Sequence, residues 1–286
     1  MLVNILTCVI SFFIGGFIGK KLAAKGITID ANLEKHQGKI IFGLIAIASI
    51  ILSIYFLSMF NLVYRVFFFI PTIFILYLGS IPYQLVVPSG CLVLGLLIFL
   101  ELSGKSSQKR KLQLFFAVVI LTIPLTIFFN YSLPIANSLE ESIITSDGAV
   151  RQTTFYTCAP ASIATLARRF TKKYANITEK EVAKLTMTNR FGTTVLAEIK
   201  AMEKLGLKPK YKHSLSVQDL IKIDRPAILH VRIGPPGKQI GHAVALLSID
   251  PQKRVLIIAD PLSGINQIQF DRLKGYWIGE AVFVMA

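Results

Sequence analysis

Cysteine is scarce in this chain, and what there is lies scattered. Cys8, Cys91 and Cys158 are the full set, with no C-x-x-C and no zinc-type Cys/His spacing. That excludes a disulfide framework and a zinc centre as the basis of the fold. A phosphate-binding G-x-x-x-x-G-K-[ST] is missing too, because "GPPGK" at 234–238 is too short and lacks the Ser/Thr. No cofactor is expected. Charge is thin: 16% of residues are charged against 53% hydrophobic, too apolar for an ordinary soluble protein. The net charge of +15 is divided as +4 over residues 1–150 and +11 over 151–286. Aromatic residues are not interleaved with those cations as single-strand binding requires, and no zinc-finger or basic-zipper pattern occurs, so nucleic acid is not the expected partner. Lysines solvated beside anionic lipid head groups account for the charge more simply.

What is present divides sharply. Residues 1–131 form the apolar half. Residues 2–19 are uncharged and long enough to cross a bilayer, and the lysines Lys20 and Lys21 follow that run rather than precede it. This favours a retained helix over a cleaved signal peptide. Residues 40–102 are interrupted only by Arg65 and Glu101, and fit three spans near 40–62, 66–82 and 85–102, with Pro82 and Pro88 in or near the last turn. A further run, 112–131, brings the expected count to five, a multi-pass membrane protein. Orientation stays open. The loops carrying Lys20 to Lys39 and Lys105 to Lys111 both ask to be cytoplasmic, which three spans between them do not allow. Five spans put the C-terminal domain in the cytoplasm, the side we lean to, and four put it outside. No ionisable residue sits in mid-span, so the apolar half reads as an anchor or a partner-binding surface rather than a conduit.

Residues 132–147 make a mixed linker, and 148–286 an ordinary globular mixture. Ile163, Leu166, Ala167 and Phe170 mark an amphipathic helix opening at Cys158. Thr178 and Glu181 have capping-box spacing ahead of a second helix. Val195, Ile199, Met202 and Leu205 predict a third, stopped at Gly206. After Pro226 the runs "AILHVRI", "HAVALLSI", "RVLIIAD" and "INQIQF" read as strands separated by turns. Helices first and an antiparallel sheet second predict an α+β domain.

The chemistry is expected in the hairpin of "HAVALLSID" and "RVLIIAD". A tight turn at Asp250–Lys253 pairs Leu246 with Leu256 and Val244 with Ile258, which sets His242 directly opposite Asp260 and Ser248 opposite Arg254. A carboxylate there can fix the tautomer and orientation of the imidazole. Cys158, at a helix start, meets the positive end of the helix dipole, which favours thiolate. Its own amide and the side chain of Gln152 can donate to an oxyanion. Taken singly, each residue has a bland explanation: a small buried cysteine, a structural histidine, an aspartate that merely starts the turn "DPLSG". Together, in the order Gln, Cys, His, Asp, they have the pattern of a nucleophile, base and orienter.

These residues resemble the papain-like, bacteriocin-processing cysteine peptidases that remove double-glycine leader peptides. The resemblance rests on Gln152, "TTFYT", Cys158 and "APASIATLARRF"; then on "GTTVLAEIKAMEKLGL", His242, "ADPLSG" and "INQIQFDRLKGYWIGEAVFV". It covers about 145–286. It implies a papain-like cysteine peptidase domain with Cys158 as nucleophile, His242 as general base and acid, Asp260 as orienter and Gln152 as oxyanion donor. Thr157 stands where the family often has Asp, and Ala159 where it has Gly. Many members are fused to a transporter with an ATP-binding domain, whereas here the membrane half comes first. The expectation is therefore a membrane-anchored cysteine peptidase that cleaves a peptide or protein leader at the bilayer surface, after Gly-Gly by the family's habit, with a separate export machinery as a further partner. A catalytically silent papain-like domain that binds peptides or regulates a membrane partner is the alternative, and an acyltransferase or transglutaminase using the same residues a third.

Overall fold

The computed structural model describes residues 2–25, 72–103, 108–235 and 237–285. The chain divides into two compact units, Met1–Leu133 and Pro134–Ala286.

The first unit contains α1 (Leu2–Ala24), α2 (Thr72–Leu102) and α3 (Gln108–Ser132). Helices α1 and α2 meet backbone to backbone. A Cβ added at Gly15 would run into the Leu92 carbonyl, and one at Gly95 into the Phe12 carbonyl, so only glycine permits the approach. Phe12 and Phe99 then meet edge to face, 6.1 Å between centroids.

The expected five spans are corrected here. Among the described residues, one helix is long and apolar enough to cross a membrane, Leu6–Ala24, with a shorter apolar stretch at Val87–Leu100. The break expected between 82 and 85 does not occur, because α2 runs unbroken for 31 residues through Pro82 and Pro88. An interior proline removes one backbone hydrogen bond and strains the preceding turn. In an apolar helix the neighbouring turns and helices absorb that defect, so proline is a poor boundary marker there. The run 112–131 is helical within α3. The expected span 40–62 and the start of 66–82 lie outside the described residues.

The second unit carries α4 (Cys158–Phe170), α5 (Glu179–Thr186), α6 (Val195–Lys204) and α7 (Val217–Ile223), with strands β1 (Pro209–Lys212), β2 (Ala227–Ile233), β3 (Ile240–Asp250), β4 (Val255–Asp260), β5 (Gly264–Gln269) and β6 (Trp277–Val284). The strands form one antiparallel sheet in the order β1-β6-β2-β3-β4-β5. Helices and then sheet is the predicted α+β plan, with β1, β6 and α7 as additions that the hydrophobic pattern did not announce.

Helix α4 lies on one face of the sheet. Ile163, Leu166 and Ala167 are buried against Ala243, Ala245, Leu247 and Ala259. Alanines on the strands let the helix approach closely, and each large apolar side chain buried there contributes roughly 1.5–3 kcal/mol. Phe170, expected on the same stripe, is instead 41% exposed, since the last turn runs past the sheet. The opposite face is covered by α7 and the segment before β6, with Leu220, Phe270 and Trp277 packed on Leu229, Val244, Leu246 and Phe283. The predicted capping box forms at Thr178–Glu181. Gly206 ends α6 with φ +76°, and its N–H donates to the Glu203 carbonyl.

Candidate active site

Cys158 is the first residue of α4, as its sequence position predicts. The helix is fixed one turn further on, where the Ser162 hydroxyl donates to the Ala243 carbonyl at 3.0 Å, directly beside His242. The amides of the first helical turn have no acceptor inside the helix and point past its N-terminus, where the cysteine sits.

His242 and Asp260 do come together, but not by the expected register. The β3–β4 turn spans four residues, with Arg254 in the left-handed region at φ +55°, and the strands close as Asp250↔Val255, Ile249↔Leu256 and Ser248↔Ile257. Continued unbroken, that pairing would put Asp260 opposite Ala245, on the other face of the sheet from His242. An irregularity between Leu246 and Ser248 removes the mismatch: beyond it the pairs are Leu246↔Ile258 and Ala245↔Ala259. Leu247 is the extra residue of a bulge, and it returns His242 and Asp260 to one face. They become diagonal rather than directly opposed neighbours, a separation that side chains of this length can close. Nε2 of His242 and Oδ1 of Asp260 are 2.8 Å apart.

Oδ1 of Asp260 also accepts the Leu262 N–H at 2.8 Å, so the turn fixes the carboxylate as the carboxylate fixes the ring. With Nε2 engaged, Nδ1 is the ring nitrogen left free, and Cys158 lies near enough to the imidazole to raise its pKa. Burial disfavours the charged ring, but the bond to Asp260 and the adjacent Cys158 outweigh it and hold the His242 pKa at about 9. Burial alone would raise Asp260, yet His242 and the Leu262 N–H keep it below its ordinary value, with Arg151 adding a smaller pull.

Gln152 is tied to the same end of the sheet. Its backbone N–H donates to the Pro261 carbonyl at 3.1 Å, joining the segment before the cysteine to the turn after Asp260. Its side-chain Nε2 donates to the Thr154 carbonyl at 2.8 Å. A carbonyl needs a donor, which settles which end of the amide faces it and leaves the second Nε2 hydrogen available. Thr157, fully buried where the family often has Asp, folds its hydroxyl back onto Thr154 and accepts the Thr154 N–H at 3.2 Å. His242 and Asp260 are thus joined directly, and Gln152 is tied to the turn that follows Asp260.

Sequence reasoning missed three neighbours. Arg151 helps hold Asp260 below its ordinary pKa, and burial together with the Asp260 carboxylate holds the Tyr276 hydroxyl above its own. Glu179, at the start of α5, reaches the backbone of Thr153. Arg151 could have been noticed as the neighbour of Gln152; Tyr276 and Glu179 carry no local signal. Among the described residues, no group of three or more His, Cys, Asp or Glu is arranged to hold a metal ion.

Comparison with known proteins gives a consistent assignment. An uncharacterized protein of Methanothermobacter marburgensis is 29% identical over 144 residues, covering 50% of this chain and 92% of its own. The peptidase domain of Streptococcus ComA, described as a bi-functional ABC transporter involved in quorum sensing, is 26% identical with a TM-score of 0.40, over 46% of this chain and 93% of that domain. A double glycine motif protease from an AMS/PCAT transporter, solved in complex with its leader peptide, is 20% identical with a TM-score of 0.39, over 50% of this chain and 96% of that one. The match to the Peptidase C39 family runs from 147 to the last residue, so the C-terminal unit of this chain is a domain of that family of double-glycine leader peptidases.

Proposed function

We propose that this chain is a cysteine peptidase held at a membrane by its N-terminal apolar helix, and that it cleaves a peptide or protein leader after Gly-Gly. The observation that carries the reading is the 2.8 Å bond between His242 and Asp260, with Cys158 at a helix N-terminus on the free side of the same ring. The double-glycine specificity comes from the family and from the leader complex of the AMS/PCAT protease.

The geometry suits the following sequence. His242 stands beside the sulfur and is placed to take its proton as the sulfur attacks. Sγ of Cys158 attacks the scissile carbonyl carbon, and the electron pair moves onto oxygen. The Gln152 amide and the first-turn backbone of α4 are the donors for that oxyanion. His242 gives a proton to the leaving nitrogen, the C–N bond breaks, and a thioester to Cys158 remains. Water then attacks the thioester carbon while His242 takes its proton. The C–S bond breaks, the leader leaves as a carboxylic acid that gives its proton to solvent, and the Cys158–His242 pair is restored. Asp260 keeps the ring in position in both halves of the cycle and stays ionised.

The test uses the full chain in lipid nanodiscs, with a fluorogenic peptide carrying Gly-Gly before the reporter amide. Cys158→Ala is expected to lower kcat by at least about 10³-fold, as loss of a nucleophile does. Iodoacetamide is expected to label Cys158 faster near neutral pH than Cys8 or Cys91. Equal turnover by the variant, or labelling of Cys158 at the rate of an unactivated thiol, favours the silent binding domain instead.

A further inference from the structure

A fully buried glutamate stands at the first residue of α5, an unusual place to hide a carboxylate. Glu179 has no exposed surface, although the first turn of a helix is where an acidic side chain ordinarily gains from the dipole while remaining in water. Burying a carboxylate is costly unless it accepts hydrogen bonds. Oε1 of Glu179 accepts one, from the backbone N–H of Thr153 at 3.0 Å. The backbone N–H of Glu179 itself donates to the Ser142 hydroxyl at 2.9 Å, which fixes the glutamate from behind.

The segment between Gln152 and Cys158 has no regular secondary structure, so its shape depends on such individual bonds. The Gln152 N–H is held by Pro261, the Thr153 N–H by Glu179, and the Thr154 N–H by the Thr157 hydroxyl. Of these acceptors, Glu179 alone is a side-chain carboxyl reaching in from another helix. Three buried polar atoms also gather in this stretch without a hydrogen-bond partner: Oε1 of Gln152, Oγ1 of Thr153 and Oε2 of Glu179.

We propose that Glu179 is a positioning residue for the oxyanion donor. Its carboxylate pins the peptide unit that follows Gln152, and so sets where the Gln152 amide points when charge develops on the substrate oxygen. It touches neither substrate nor sulfur. The proposal rests on the catalytic reading of Gln152 given above. Donor placement matters steeply, since a displacement of about 1 Å can cost about 10²-fold in rate.

The experiment compares Glu179→Ala, Glu179→Asp and Glu179→Gln in the full chain in nanodiscs, alone and combined with Gln152→Ala. Hydrolysis of the Gly-Gly fluorogenic peptide needs an oxyanion donor. Alkylation of Cys158 by iodoacetamide forms no oxyanion and does not. Glu179→Gln keeps an oxygen at the same reach and is expected to retain kcat within about threefold. Glu179→Asp keeps the charge but withdraws the oxygen, and with Glu179→Ala is expected to lose about 10-fold or more in kcat, with KM and alkylation rate near wild type. In the Gln152→Ala background, Glu179→Asp is expected to add nothing. The proposal is overturned if Asp outperforms Gln, if the losses multiply in the Gln152→Ala background, or if alkylation falls in step with kcat. Should Glu179→Ala fail to fold, Asp against Gln still decides. A wild-type chain that turns over none of the peptide overturns the hydrolase reading and this proposal with it. An active wild type showing any of the three adverse patterns overturns this proposal alone.

Discussion

Two histidines on neighbouring strands of the sheet make an instructive pair. His230 on β2 lies opposite Ala243, and the next residue of β3's start, His242, lies opposite Val231, so the two rings leave the sheet on opposite faces. Both are nearly buried, and both have raised pKa values through carboxylates. His242 has one carboxylate partner, on Nε2, and a thiol beside it. His230 is enclosed by two, with Nε2 2.9 Å from Glu198 of α6 and Nδ1 in a 3.4 Å ionic contact with Glu280 of β6. Burial opposes its charge, but Glu198 and then Glu280 overcome this and lift its pKa to about 10. A ring with both nitrogens committed to carboxylates has no proton to move, and its charge ties a helix to the sheet. A ring with one nitrogen beside a sulfur can relay a proton. The number of carboxylates, rather than the size of the pKa shift, separates the structural histidine from the reactive one.

Removing His230 tests that separation most severely. His230→Leu leaves Glu198 and Glu280 facing each other in the interior with no cation between them. Stranding buried charge in this way costs about 3–5 kcal/mol, and the melting temperature of the unit is expected to fall by about 10 °C or more. Trp277, the sole tryptophan and itself buried in this unit, reports the transition without interference from the apolar half. The pH dependence has a definite sign. The folded-state pKa of about 10 lies above the ordinary 6.5, so the stability from His230 is full below about 6.5 and is lost as pH rises through about 10. His230→Leu should remove the part of that alkaline decline lying above about 9, where His242 has already titrated. Well below its melting temperature, the variant should still alkylate Cys158 at the wild-type rate. A slow Cys158 with an unchanged melting temperature would show that the two histidines are coupled and that the comparison is false.

Asp260→Ala probes the other member of the pair, and its effect should fall on rate rather than stability. Without the carboxylate nothing fixes Nε2, and kcat is expected to drop by about 10²-fold, while the melting temperature changes far less than in His230→Leu. Equal stability losses in the two variants would mean that the His242–Asp260 bond is also a structural tie.

How much of this was legible beforehand divides along physical lines. The helix at Cys158, the capping box at Thr178 and the strand positions are local, written in periodicity and side-chain chemistry. The four candidate residues were named from their types and order, and two of them, His242 and Asp260, are joined in the fold. The register was not. It depends on a four-residue turn with a non-glycine residue at positive φ and on a bulge at Leu247, and a leucine in a hydrophobic strand gives no sign that it is the extra residue. The expected pairing brought His242 to Asp260 for a reason that was wrong by two positions, and the bulge is what preserves the shared face. Glu179 and Glu198 were unreadable on other grounds: a glutamate near a helix start looks like a solvated cap, and only the tertiary fold buries it. In the apolar half the error went the other way, since prolines read as boundaries are absorbed within one continuous α2.

The smallest expected effect sharpens the comparison most. Asp260→Asn keeps an oxygen where Oδ1 was, still oriented by the Leu262 N–H, and that oxygen can still accept from Nε2–H of His242. Orientation survives and the charge is lost. Turnover should fall by less than in Asp260→Ala, and the pH profile should move. In the wild type, kcat/KM should decline as pH rises through about 9, because His242 then lacks the proton it must give to the leaving amine. Burial pulls that pKa down and the bond to Asp260 is the largest influence holding it up, so with the neutral amide the decline should begin at lower pH. The same substitution made beside His230, Glu198→Gln, removes charge from a ring that transfers nothing. It should leave the kcat/KM profile in place and lower the pH at which stability is lost. If instead the activity profile follows Glu198→Gln, or ignores Asp260→Asn, the two carboxylate-bound rings have been assigned the wrong way round.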